Sequence, residues 1–182
     1  MQTIYALLSR AGRLIAFYLI FLFLFPSCSN NHHPDSKLIM VKDGLICSIR
    51  DGKPFTGRVS DVLNGQLLEY DVLRGIKNGE FHISSKDGNN IILGEMKDNK
   101  NVGLWQYFYS NGQMESQGYF NNDKVDDKWV WYFPDGKLKA EGEYNNGVKD
   151  GKWTVYDKSG RVVSETVYRN DKKVVGMENL SI

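Results

Sequence analysis

The sequence predicts an all-β protein: tandem β-hairpin repeats joined into an elongated, twisted antiparallel sheet. Three observations carry this. Trp105, Trp129 and Trp153 stand 24 residues apart, and the same interval separates Gly112, Gly136 and Gly160, then Phe108, Tyr132 and Tyr156, then Phe120, Tyr144 and Tyr168. A fixed period over three copies marks a repeat array. Inside each copy apolar and polar residues alternate with a period of two, the pattern of a strand with one dry and one wet face. No long amphipathic helical pattern follows Cys28.

In chain order, residues 1–27 read as a secretory signal. Arg10 and Arg13 are the only charges before Asp35, and Leu14–Phe25 is an unbroken apolar run. Those 12 residues are too few for a helix rising about 1.5 Å per residue to cross a core of about 30 Å. Basic residues followed by a short apolar core fit an export signal; an uncleaved membrane anchor is the alternative. Phe25-Pro26-Ser27-Cys28-Ser29 resembles the lipobox of bacterial lipoproteins. That resemblance implies cleavage before Cys28 and a diacylglycerol on its thiol, which anchors the chain to a membrane through buried acyl groups. Cys28 is thus the expected lipidation site. Cys47, the other cysteine, then has no intramolecular partner; the alternative is a Cys28–Cys47 disulfide in an oxidising compartment.

Residues 28–42 form the expected tether. Ser29–Ser36 is polar and lacks apolar residues, as in a flexible spacer. His32 and His33 are adjacent, so in an extended chain they point apart and make a poor metal pair. The repeat domain is expected over residues 43–176, with a tail over 177–182.

One unit of that domain runs from Asp127 to Asp150. Lys128–Phe133 is aromatic-rich, as strands are. Pro134-Asp135-Gly136 is a turn: Pro presets φ, Asp caps locally and Gly accepts positive φ. From Lys137 to Tyr144, Leu138, Ala140, Gly142 and Tyr144 share one face, and Lys137, Lys139, Glu141 and Glu143 the other. The unit reads as a β-hairpin, with Asn145-Asn146-Gly147 linking it to the next. Stepping back gives a copy opening at Gly79 with Phe81 in the tryptophan place, and a weaker one from about Gly57 to Asn78 with its turn at Gly65. Five hairpins give about ten strands, enough to share one continuous buried surface. Asp126-Asp127 and Asn170-Asp171 are expected in linking loops, their charges solvated.

The first strands are aromatic on both sides. Trp105, Tyr107 and Tyr109 share one parity, as do Trp129, Trp131 and Phe133. Two readings stand open: packing between adjacent hairpins, or an exposed aromatic strip. In the second, Trp105, Tyr107, Tyr109, Trp129, Trp131 and Trp153 form a binding surface, because contiguous apolar patches mark contacts and Tyr and Trp offer area with a polar tip.

Gly151-Lys152-Trp153-Thr154-Val155-Tyr156-Asp157-Lys158-Ser159-Gly160 resembles the opening of the variant form of the MORN (membrane occupation and recognition nexus) repeat, and Gly103–Gly112 and Asp127–Gly136 look similar. Gly57 and Gly79 match the start of earlier, degraded copies, and Ser84 and Ser85 replace aromatics in the copy at Gly79. The resemblance implies a chain of hairpins with a binding or scaffolding role and no shared catalytic residues. Bacterial relatives are often labelled antitoxins, but an antitoxin meets its toxin in the cytoplasm, whereas this chain carries an export signal.

Other chemistry is not signalled. His82 is the sole histidine of the repeat region, which argues against a His-based metal site or catalytic dyad. There is no phosphate loop and no nucleophile elbow. Glu141 and Glu143 sit about 7 Å apart on one strand face, a spacing that suits glycosidase carboxylates, but Lys137 and Lys139 alternate with them and make a solvated, charge-balanced face. The chain has 23 basic and 22 acidic residues with no basic stripe of the kind nucleic-acid binding needs. No cofactor is implied. The expectation is a non-enzymatic, lipid-anchored protein of the bacterial cell envelope that binds an unidentified protein partner, touches the membrane through Cys28 and binds no nucleic acid. The alternative is a binding module for cell-wall glycan or lipid headgroups, or an antitoxin-like protein.

Overall fold

Strands and short turns alternate along residues 38–174, the part of the chain that the computed structural model describes. The strands are β1 (Ile39–Lys42), β2 (Leu45–Ser48), β3 (Gly57–Leu63), β4 (Gln66–Leu73), β5 (Ile76–Ser84), β6 (Asn90–Lys97), β7 (Lys100–Phe108), β8 (Met114–Asn121), β9 (Lys124–Tyr132), β10 (Leu138–Asn145), β11 (Val148–Lys149), β12 (Gly151–Tyr156), β13 (Val162–Arg169) and β14 (Lys172–Val174). Among the described residues there is no α-helix, and no helix long and apolar enough to cross a membrane.

From β3 to β14 the chain meanders through one antiparallel sheet of 12 strands, each beside its sequence neighbour, with the short β11 pairing β10. The sheet is open, because β3 and β14 end the order and do not pair with each other. The all-β hairpin array expected from the 24-residue period is therefore the fold. The five expected hairpins are β3–β4, β5–β6, β7–β8, β9–β10 and β12–β13.

The links between hairpins are themselves tight hairpin turns. Asp98-Asn99, Asn122-Asp123, Asn146-Gly147 and Asn170-Asp171 all have positive φ at both residues. That is the turn whose twist matches paired strands, and Asn, Asp and Gly are the residues that reach it at least strain. On the opposite border the β3–β4 turn, Asn64-Gly65, is equally tight, but the loops of the later hairpins are longer. Tyr109 N donates to Gln113 O and Gly112 N to Tyr109 O, and the same pair of bonds recurs at Phe133–Lys137 and Asp157–Arg161.

Successive tight turns are also tied together. Asn101 N donates to Asp123 Oδ1 at 2.8 Å while Asp123 N donates to Asn101 O at 3.0 Å. Lys77 with Asn99, and Lys149 with Asp171, repeat this reciprocal pair. At the intervening turn Gly147 has no carboxylate to offer, and Asp126 Oδ1 accepts from Asn146 N instead. Two expectations are corrected here. Asp126 and Asp127 lie within β9 rather than in a loop, and the Asp126 and Asp171 carboxylates hold backbone N–H groups rather than standing free in water. These bonds draw the Asp126 carboxyl below the usual aspartate range, the largest cause being the Asn146 N–H.

The amino-terminal hairpin caps the array. Ile46 N donates to Gly75 O, Gly75 N to Phe55 O and Phe55 N to Ile46 O. Cys47, Val59 and Val72 are buried, and Val59 is fully so. Cys47 is thus a small core residue with a free thiol. Residues 39–42, assigned to the tether on composition, form β1 in register with β2. The signal segment, Cys28, His32, His33 and the 177–182 tail lie outside the described residues.

Candidate binding surface

The two sheet faces differ in kind. On one, a row of rings crosses the strands. Phe81 and Trp105 have centroids 5.3 Å apart, Tyr107 and Trp129 6.2 Å, and Trp131 and Trp153 5.4 Å, with interplanar angles of 33°, 30° and 38°. Phe120, Tyr144 and Tyr168 meet the tryptophans edge-on, at 85° for Phe120–Trp129 and 82° for Tyr144–Trp153. These offset and T-shaped geometries suit the ring quadrupole. Trp105, Trp129 and Trp153 have the same kind of surroundings, as a true repeat requires.

Glycine makes this packing possible. Trp105 lies on Gly94, Trp129 on Gly118 and Trp153 on Gly142, so close that a Cβ on any of these glycines would stand 2.2–2.4 Å from the indole ring. Each tryptophan therefore occupies the space where the neighbouring hairpin has no side chain. The approach is helped by a bulge two residues upstream of each ring, where Gly79, Gly103, Asp127 and Gly151 all have positive φ. The ladder slips beside Gly118–Tyr119, opposite Asp127-Lys128. Trp105 Nε1 and Trp153 Nε1 donate to the carbonyls of Glu95 and Glu143. The buried Trp129 Nε1 has no acceptor among the described residues, a desolvated donor that costs about 1–3 kcal/mol.

The six residues of the expected strip therefore divide. Trp105 and Trp129 are 5% and 7% exposed and serve the packing between hairpins. Tyr109 is half-buried and its hydroxyl donates to Tyr132 O at 2.8 Å, tying one long loop to the next unit. Tyr107, Trp131 and Trp153 are half-buried; burial pushes the Tyr107 phenol above its ordinary pKa. From β5 onward the described chain forms a single layer, so these rings edge an uncovered face. Tyr107 and Trp131 both flank Ser116 in the register, with Ala140 and the exposed Val155 continuing the row.

The other face is polar. Its central row reads Glu69, His82, Leu93, Gln106, Gln117, Val130, Glu141, Thr154 and Glu165 across successive strands. Gln106 Nε2 donates to Gln117 Oε1, and His82 Nε2 lies 2.9 Å from Asn90 Oδ1. Lys128 Nζ pairs with Glu141 Oε2 at 2.6 Å and the Tyr156 hydroxyl donates to Glu141 Oε1 at 2.8 Å, which together hold the Glu141 carboxyl below the usual glutamate range. Glu141 is thus paired across the strands, not with Lys137 and Lys139. Near the first hairpins a cleft of about 610 Å³ is lined by Arg58, Asp71, Glu80, Leu93, Glu95 and Leu104. Arg58 bonds both Asp71 and Glu80 there, which raises its pKa further.

The geometry defines an open hairpin-repeat module whose long axis is built by ring-on-glycine packing. Residues 101–122, 128–146 and 149–170 match the MORN repeat variant. The chain thus carries three repeats of that type, modules that generally mediate binding. No curated protein matches the chain. The hairpins β3–β4 and β5–β6 continue the same sheet beyond the matched stretches.

Proposed function

We propose that this is a non-enzymatic repeat protein, held at a bacterial envelope membrane by lipid on Cys28, whose aromatic sheet face binds a protein partner. One observation carries the reading: Tyr107, Trp131 and Trp153 are half-exposed on a face that nothing in the described chain covers. Rings already fixed by neighbours lose little conformational freedom on binding, and aromatic anchors dominate protein interfaces. The export signal and lipobox-like stretch support the membrane address.

The test is in-cell crosslinking from positions 107 and 131, followed by mass spectrometry. A reproducible partner, lost in Tyr107→Ala/Trp131→Ala with the fold intact by circular dichroism, is the expected result. Binding of the protein to isolated cell wall or to liposomes with no protein captured would overturn the protein-partner reading in favour of a glycan or headgroup. For the anchor, Cys28→Ala is expected to abolish palmitate incorporation; unchanged labelling would refute lipidation there.

A further inference from the structure

One row of the aromatic face alternates large and small side chains. Neighbours in register across successive strands are Tyr107, Ser116, Trp131, Ala140, Val155 and Ser164. The first strand of each hairpin supplies the bulky residue and the second the small one, so the 24-residue period repeats the pattern. Strands lie about 4.8 Å apart, and a knob therefore recurs roughly every 10 Å with a notch midway. Ser116 is 7% exposed between two half-buried rings, whereas Val155 stands 40% exposed beside Ala140. Read from its other end, the row has a small residue wherever it had a large one. An antiparallel copy, turned about a two-fold axis between Trp131 and Ala140, sets Trp131 on Ala140, Val155 on Ser116 and Tyr107 on Ser164. A copy running the same way would set ring on ring.

Charge allows the same arrangement. This row carries no charged residue, and neither does the row of tryptophans and glycines beside it. The next row over holds Lys149 beside Tyr144 and Lys173 beside Tyr168, with Asp127 opposite Tyr144. Lys149 Nζ stands 4.1 Å from the Trp153 ring centroid, a cation already at ease over an aromatic face. The two-fold brings Lys149 toward Phe120 of the second copy, Lys173 toward Met96 and Asp127 toward Tyr144, so no like charges meet. Area suffices as well. Strands β7 to β10, β12 and β13, at about 4.8 Å each and about five residues of 3.4 Å long, cover roughly 500 Å² per copy. The pair then buries about 1,000 Å², the size at which specific interfaces begin. Sheets pack face to face about 10 Å apart with strand directions about 30° off parallel, so the fit is closest at the axis.

We propose that the protein is an antiparallel, face-to-face homodimer in which the knobs of one Tyr107–Ser164 row fill the notches of the other. Such a contact is isologous, each residue pair occurring twice about the axis. It supplies the second layer that a sheet with one apolar face needs. A second copy is thus named as the protein partner in the binding role proposed above, and the inference rests on that role.

The test measures association of the full chain in mild detergent by analytical ultracentrifugation, where a dimer is expected. Ala140→Trp fills the notch at the axis and should weaken association roughly tenfold with an unchanged circular dichroism spectrum. Trp131→Ala/Ala140→Trp exchanges knob and notch and should restore it. On the otherwise native chain, a photo-crosslinker at position 107 in a mixture of light and heavy isotope-labelled protein should join one chain to the Ser164 peptide of another. Within one chain those positions lie five strand spacings, about 24 Å, apart, beyond the reach of the crosslinker. A monomer, a dimer indifferent to Ala140→Trp, or absence of the link between positions 107 and 164 overturns the proposal. So do crosslinks from position 131 into residues 175–182 of the same chain, which would make the tail the occupant. If the protein is a monomer while positions 107 and 131 still capture a different protein, the homodimer falls and the binding role stands.

Discussion

Gly118 lacks a side chain because the Trp129 ring fills the place where one would stand. Gly118→Ala is therefore expected to destabilise the protein by about 2–3 kcal/mol, in the range of an overpacked core, with Gly94→Ala and Gly142→Ala alike; urea denaturation measures it. A change within error of zero would mean that the rings yield freely. Asp127 holds the bulge position that Gly103 and Gly151 hold in the units beside it, at φ +61°. A non-glycine residue there bears left-handed strain, so Asp127→Gly should stabilise by about 0.5–1 kcal/mol in the same measurement. Part of this was legible in the chain. Gly118 and Gly142 fall on the inner face by alternation alone. Their reason was not, although the offset of 11 residues between Gly94 and Trp105, Gly118 and Trp129, and Gly142 and Trp153 was there to be read. Turn glycines and packing glycines look the same until the neighbouring strand is in place.

Pairing between elements determines which charges matter. The alternation in β10 separates a wet face from a dry one from Ala140 to Tyr144, while a bulge between Leu138 and Ala140 breaks it and sets Leu138 opposite Tyr132. It also pairs Glu141 only with the nearby Lys137 and Lys139. The partners that count, Lys128 from β9 and Tyr156 from β12, come from either side. Because the folded Glu141 carboxyl is held below its usual value, its stabilising effect is present above the ordinary glutamate pKa of about 4.3 and is lost as pH falls through the folded value. Glu141 and Lys128 are partly exposed, so the effect is screened and modest. Glu141→Gln should flatten the decline in urea midpoint between about pH 5 and pH 3; parallel profiles for the two proteins would contradict this. The tight turns make the same point. Asn122-Asp123 and Asn170-Asp171 are visible as turn formers, yet their carboxylates act on the preceding turn 22 residues away, a bond that no local pattern displays.

Over the whole molecule, equivalent neighbours make the units interchangeable. Removing residues 127–150 would join Asp126 to Gly151 and restore the bulge, the tight turn and the tryptophan in register. The shortened chain is expected to fold as a sheet with one hairpin fewer. Its urea m-value should fall by roughly one-sixth, in proportion to the residues lost, because m follows the surface exposed on unfolding. A shortened chain without the β spectrum would show that the units are not equivalent.

The amino-acid sequence alone determined the period, the hairpins and their turns, because each depends on residues within one unit: alternation, an aromatic strand, and Asn, Asp or Gly where φ is positive. Only the tertiary structure decided which rings are buried and which carboxylates hold a neighbouring backbone. Those outcomes depend on what the adjacent unit places alongside.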